Sequence, residues 1–339
     1  MQVYAGIDEA GYGPLFGPLL VGRAVFGIEG PGPVSEARRS SGPQVPDLWN
    51  LLSKGVCRRL ARNRARVAVN DSKKLHSRAA GIRHLERGVL AFAGLAGHQP
   101  ITVDRFLDCM GETCHHDLGQ LPWYAPTQER PWEPLPRACT IGEVLVDRSM
   151  LQGVARDAGV RVLDMGAAVV LEDRFNRMVE ATRSKASTSF TFVAAHLLHI
   201  WDRFGAHGPC VVVDHQSSRT RYRELLGMTF PNAQLRVLDE TGSQSSYHLA
   251  FEAGGQRRHM TVWFEVEADS HHLPAALASM VSKYTRELFM HRFQAWFSQR
   301  APQVKPTAGY ATDARRFWDQ IEPLLRQWQI DPGRLRRMA

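Results

Sequence analysis

The feature that most constrains this chain is the place where its first apolar run stops. Val3-Tyr4-Ala5-Gly6-Ile7 reads as a buried strand, and it runs into Asp8-Glu9-Ala10-Gly11-Tyr12-Gly13-Pro14. Successive side chains on a strand point to opposite faces, so two adjacent acids cannot share a site in mid-strand. At a strand end, where Gly11 and Gly13 allow a sharp turn, Asp8 and Glu9 can converge. Converging carboxylates repel each other unless a cation lies between them, which makes this a candidate divalent metal site. A strand end with solvated acids and turn glycines is the plain alternative.

The pattern recurs twice. Cys210-Val211-Val212-Val213 is wholly apolar and ends in Asp214, and the alternating run His259 to Glu267 leads into Ala268-Asp269-Ser270. Four carboxylates brought together from distant parts of the chain suit two divalent cations that clamp the attacking and leaving oxygens of a phosphodiester. Oxygen-only ligands favour Mg²⁺ or Mn²⁺ over zinc.

The charge balance runs the other way. The 339 residues carry a formal net charge of +8, with a pI near 9.5. Positive charge around an acidic centre points to a polyanionic substrate held by Lys and Arg. Asp71 or Ser72 reads as an N-cap, followed by Lys73 and Lys74 in the first turn. A basic pair opposes the helix dipole there and makes sense where an external phosphate docks. Arg58, Arg59, Arg62, Arg64 and Arg66 face either phosphates or water.

Elsewhere the periodicity gives a second strand at Leu19–Phe26, hairpinned onto the first, and a loop from Gly30 to Pro46. A helical pattern carries Leu85, Val89 and Leu90. Leu171 to Phe204 is helical, with Phe175, Met178, Val179, Phe192, Ala195, Leu198 and Trp201 facing inward and a polar break at Ser184–Thr191. A short helix lies near Tyr222–Leu226 and a strand at Leu235–Leu238. The helix after Asp269 buries Leu273, Leu277, Met280, Val281, Tyr284 and Leu288, leaving Lys283, Arg286 and Glu287 off that stripe. Another helix, after Tyr310, carries Phe317, Ile321 and Leu325, and the tail Arg334–Arg337 is basic.

No internal repeat is present. The expected organisation is a catalytic domain over residues 1–300, interrupted by an insertion at about 97–159, and a helical extension at 301–339. Cys109, Cys114, His115, His116 and Cys139 in the insertion invite a zinc reading, but the spacing departs from the usual short Cys pairs. An insertion that packs irregularly on the body is the expectation. Five cysteines without a secretion signal argue for reduced thiols, and no apolar run is long enough to span a bilayer. A cytoplasmic, monomeric enzyme is expected.

Six segments then resemble one family in its own order. Asp8-Glu9-Ala10-Gly11-Tyr12-Gly13-Pro14-Leu15-Phe16-Gly17-Pro18-Leu19 resembles the opening motif of the type 2 ribonucleases H, bacterial ribonuclease HII among them. Asn70-Asp71-Ser72-Lys73-Lys74-Leu75, Val213-Asp214, Ala268-Asp269-Ser270, the helix through Lys283-Tyr284-Thr285-Arg286, and Gly309-Tyr310-Ala311-Thr312 resemble its later segments. The resemblance implies an α/β, RNase H-like mixed sheet flanked by helices. It also implies endonucleolytic cleavage of the RNA strand of RNA–DNA hybrids, including at ribonucleotides embedded in a DNA duplex, to give a 5′-phosphate.

By that resemblance Asp8, Glu9, Asp214 and Asp269 are the catalytic metal ligands, for two Mg²⁺ or Mn²⁺ ions. The backbone of Gly11, Tyr12 and Gly13 approaches the ribose 2′-OH, and Tyr310 stacks beneath a sugar or base. Lys73, Lys74, Lys283 and Arg286 hold phosphates. Two positions depart from the family pattern. Tyr12 stands where an Arg is usual and cannot supply a guanidinium fork. His215 replaces a Gly after the third acid; it can assist the leaving group or act as a hydrogen-bond partner. Shifted specificity for another structured nucleic acid is therefore the alternative. A non-catalytic binder is disfavoured, because acids repel phosphate and serve it no purpose.

Overall fold

The computed structural model describes residues 1–30, 43, 45–59, 66–76, 81–111, 115–216 and 219–338. Most of the expected loop Gly30–Pro46, together with Arg62, Arg64 and Cys114, lies outside them. Two long strands open the chain, β1 (Gln2–Ala10) and β2 (Leu19–Ile28). They are followed by α1 (Leu48–Leu51), the short strands β3 (Val56–Cys57) and β4 (Val67–Ala68), α2 (Ser72–Leu75) and α3 (Arg83–Leu95). The segment 97–159 holds α4 (Val103–Cys109), α5 (His115–Gly119) and α6 (Ile141–Asp157). Then come β5 (Val160–Val170), α7 (Glu172–Thr182), α8 (Lys185–Phe204), β6 (Cys210–Asp214) and α9 (Arg223–Thr229). Strands β7 (Gln234–Glu240), β8 (Gln244–Ala253) and β9 (Gln256–Glu265) lead to α10 (Ala268–His271), α11 (Leu273–Arg300), α12 (Ala311–Leu325) and α13 (Pro332–Leu335).

Seven strands form one mixed sheet in the order β5-β2-β1-β6-β9-β8-β7. β1, β2 and β5 are antiparallel neighbours, whereas β6 runs parallel to both β1 and β9. This is the mixed sheet flanked by helices that the resemblance implies. Strands in the middle of such a sheet are covered on both faces, which is why β1 and β6 are continuous apolar runs up to their acids, and β2 is interrupted only by Arg23, paired with Asp164 at 2.6 Å. α11 lies directly on one face. A Cβ at Gly6 would come within 2.1 Å of the Ala275 nitrogen, and one at Gly22 within 2.5 Å of the Ala278 oxygen, so both glycines are required for this close approach. α8 covers the other face with Phe192, Val193, Leu197 and Ile200.

Several details differ from the sequence reading. β1 continues to Ala10, paired with Leu20, so both acids lie in its last residues. The helical run after Asp71 is two helices, a single turn at α2 and the separate α3. The stretch Leu171–Phe204 breaks where Arg183 takes a left-handed conformation (φ 54°), after which the Ser184 side chain caps α8. Ala195 and Leu198 face solvent, because the buried stripe of α8 runs through Val193, His196, Leu197 and Ile200. Arg286 was expected off the buried stripe of α11, yet it is 1% exposed, because that helix is covered on nearly every side.

The segment 97–159, expected as an irregular insertion, is more regular than that. α6 is a 17-residue helix opened by a capping box of Thr140 and Glu143. Phe106, Trp123 and Tyr124 join the same core cluster as α11, and so do Phe317 and Ile321 of the C-terminal extension. The described cysteines Cys57, Cys109, Cys139 and Cys210 are free thiols. No described helix is long and apolar enough to cross a membrane.

Candidate active site

β1 and β6 end next to each other, and the space beyond them is a cavity of about 530 Å³. Every site residue expected from the sequence lines it except Arg286: Asp8, Glu9, Asp214 and Asp269; the loop Gly11-Tyr12-Gly13; and Lys73, Lys74, Lys283 and Tyr310. Asp71, His215, Glu267 and Ser279 line it too.

Being neighbours on a strand, Asp8 and Glu9 are held from opposite sides of the sheet. Asp8 lies toward α11, where Ser279 bonds its carboxylate and the Ser282 hydroxyl donates to its carbonyl at 3.0 Å. Glu9 lies toward α8, accepting from the Ser189 hydroxyl and, at 3.5 Å, from the Gln216 amide, which also donates to Ser189 at 2.9 Å. Asp214 accepts from the Ala268 backbone N–H at 2.9 Å. That bond ties the end of β6 to the start of α10, and α10 carries Asp269.

The electrostatics are those of acids gathered close together. Burial and the charges of Asp214 and Asp269 push Asp8 well above the ordinary carboxylate range. Burial and Asp269 push Asp214 up to about 7. Asp269 is raised by burial and by Asp71, and eased by Lys73 and Lys74. Glu9 is raised by burial, with Ser189 and Gln216 working against it. Sequence reasoning placed Asp71 only as an N-cap, which it is, accepting from Lys73 N at 2.8 Å. Its place against Asp269 depends on how α2 packs on α10, and no local pattern reveals that.

The donor chemistry suits a hard divalent cation, since several carboxylates share one cavity and repel one another. Among the described residues no three metal-binding side chains already converge on one point. This is compatible with Mg²⁺, which keeps several waters and takes one or two carboxylates plus substrate oxygens. In the insertion the zinc reading gains no support. Cys139 donates to the buried Glu86 carboxylate, and burial with that charge pushes its thiol up to about 12, the reverse of a metal thiolate.

The basic residues divide into two kinds. Lys74 is exposed at the rim, 3.3 Å from the Ser270 hydroxyl, and Lys283 pairs with Glu287 at 2.6 Å. Arg286 is structural. It donates to the carbonyls of Phe16 and Ala308, and its guanidinium lies 5.3 Å from the ring centre of Tyr310, which is 45% exposed. Tyr12 lines the cavity and is partly buried against the apolar cluster under α8. His215 lines the cavity, its ring edge-on to Tyr222.

No family model and no curated protein matches the sequence. Solved structures do. The chain is similar to ribonucleases HII and HIII. With a ribonuclease HII of Archaeoglobus fulgidus, solved in complex with PCNA, it shares 15% identity over 99% of this chain and 94% of the other, at a TM-score of 0.41. With the ribonuclease H2 of Pyrococcus horikoshii the values are 15%, 98%, 92% and 0.40. With Bst-RNase HIII in complex with Mn²⁺ they are 12%, 99%, 66% and 0.41.

Proposed function

We propose that this protein is a divalent-metal-dependent endoribonuclease that cleaves the RNA strand of RNA–DNA hybrids, leaving a 5′-phosphate. One observation carries the reading: Asp8, Glu9, Asp214 and Asp269 come from three separate elements into one cavity that Lys73, Lys74, Lys283 and the Gly11-Tyr12-Gly13 loop also line. Acids that raise one another's proton affinity serve a cation, and a basic rim around them serves a polyanion. Bound Mg²⁺ or Mn²⁺, in our reading two ions, would supply an activated water and charge stabilisation at the leaving 3′-oxygen.

The chain's own residues do the rest. Asp8, Asp214, Asp269 and Glu9 would hold the ions, with Ser189 and Gln216 fixing the rotamer of Glu9 and the Ala268 N–H fixing that of Asp214. Lys73 and Lys74 would receive phosphates, so binding should weaken with salt. Gly13 has open space where a Cβ would stand, which leaves the loop backbone within reach of a ribose 2′-OH. Tyr310, supported from below by Arg286, offers its exposed face to a sugar or base.

The test compares a long RNA–DNA hybrid, a DNA duplex with one embedded ribonucleotide, and single-stranded RNA, each in Mg²⁺ and in Mn²⁺. Cleavage of the hybrid that stops on chelation supports the proposal. With Tyr12 at the motif position, cutting of another structured nucleic acid in preference to the hybrid would establish the shifted specificity instead. No cleavage of any of them would overturn the reading.

A further inference from the structure

The last residues of the chain read as a basic tail, and in the structure Arg337 is 1% exposed. Its side chain enters the turn after β1. The guanidinium donates to the carbonyls of Gly11 at 2.5 Å, Tyr12 at 3.2 Å and Pro14 at 2.9 Å, and it lies 4.6 Å from the ring centre of Phe175. The tail itself is anchored. Arg337 N donates to Leu15 O at 2.8 Å, and the Asn176 side chain bonds Gly333 O, Arg336 O and Met338 N. Three carbonyls of one four-residue turn are therefore drawn to a single side chain from the far end of the chain.

A trans peptide is planar, and its N–H points opposite to its C=O. Drawing the Gly11 and Tyr12 carbonyls toward Arg337 sends the N–H groups of Tyr12 and Gly13 the other way. Among the described residues neither N–H donates to another group. Both residues line the cavity that holds the four acids.

We infer that Arg337 is a positioning residue: it orients the Tyr12 and Gly13 amides as two fixed donors for an oxygen of the substrate, the ribose 2′-OH in the reading above, on which this inference rests. A guanidinium is suited to the task because its planar donors bond several carbonyls at once and its charge stays fixed. In this chain the arginine that organises the loop comes from the C-terminus, and the loop position where an Arg was expected holds Tyr12.

The experiment uses the full chain and compares wild type, Arg337→Ala and Arg337→Lys. Steady-state cleavage of an RNA–DNA hybrid gives KM and kcat. Binding in EDTA gives the affinity ratio for that hybrid over an all-DNA duplex of the same sequence, and thermal melting checks the fold. In Arg337→Ala the affinity ratio should fall about tenfold and KM should rise by about the same factor, more than kcat falls, as expected for loss of an oriented hydrogen bond. Arg337→Lys, which keeps the charge and some of the bonds, should recover part of both, and it carries the test alone if the Ala variant does not fold. A folded variant that keeps the wild-type KM and affinity ratio overturns this inference alone. A wild type that neither cleaves the hybrid nor distinguishes the two duplexes overturns it together with the proposed function.

Discussion

Ile7 on β1 and Val213 on β6 are register partners in a parallel pair, so the acids that follow them, Asp8 and Asp214, leave the sheet side by side. This single pairing explains why two apolar runs more than two hundred residues apart both end in aspartate. It also places like charges together, at a cost to the metal-free fold.

Removing one of those charges should separate chemistry from stability. Asp214→Asn keeps an oxygen for the Ala268 N–H but loses the negative charge. Metal-dependent cleavage should fall by on the order of a thousandfold, as expected for a lost metal ligand. The melting temperature of the metal-free protein at pH 8 should instead rise by about 2 °C, because the repulsion among the acids is relieved. Adding Mg²⁺ should then raise the wild-type melting temperature more than that of the variant. Undiminished cleavage by Asp214→Asn would remove Asp214 from the site.

Glu9 gives a second prediction. Its carboxylate is held by Ser189, which is itself held by Gln216. Ser189→Ala frees the carboxylate to leave its rotamer, and kcat on the hybrid should drop about tenfold. Gln216→Ala should cost less, and the double variant less than the sum of the two, since both act on one carboxylate. A Ser189→Ala enzyme with wild-type kcat would show that the orientation of Glu9 does not limit the reaction.

How much of this was legible in the sequence depends on range. The acids at Asp8, Asp214 and Asp269 were readable because each follows an apolar run, and strand ends are local. Lys73 and Lys74 were readable as misfits at a helix start. Arg286 was misplaced because helical periodicity assumes a solvent face that α11 lacks. Asp71, Ser189 and Arg337 act through partners between about 180 and 330 residues away, and a one-residue cap or a basic tail looks the same whether or not it docks. On α8, Phe192 and Trp201 were placed inward correctly, whereas Ala195 and Leu198 were each one position off, because His196, a polar residue, belongs to the buried stripe.

The insertion yields a third prediction. Tyr124 donates to the buried Glu172 carboxylate at 2.7 Å, and Glu172 accepts from Gly17 N at 3.0 Å, so the insertion steadies the loop after β1 through one acid. Tyr124→Phe leaves that carboxylate short of a donor, and it should destabilise the fold by about 1–3 kcal/mol. Urea unfolding should show a lower midpoint with an unchanged slope. A midpoint equal to wild type would mean that another group takes the place of the phenol.

His196 makes one identifiable contribution to the pH dependence of stability. Its Nε2 donates to Val21 O at 2.8 Å and its Nδ1 accepts from Arg23 at 3.1 Å, an arrangement open only to the neutral ring. Burial and the Arg23 charge hold it down at about 3, whereas an unfolded histidine titrates near about 6.5. Because the folded value is depressed, the unfolded chain binds the extra proton first. The contribution is complete above about pH 6.5 and is lost as pH falls toward 3, with about 2 kcal/mol of it gone by pH 5. Neighbouring Asp164 does not confuse the measurement: burial would raise it, but His199 and Arg23 hold it at about 2, so its share is lost only below about pH 4. His196→Gln, whose amide can donate to Val21 O and accept from Arg23 but cannot take up a proton, should flatten the change in urea midpoint between pH 7.5 and pH 5. If the variant and the wild type lose stability equally over that interval, His196 is not the group that titrates on unfolding.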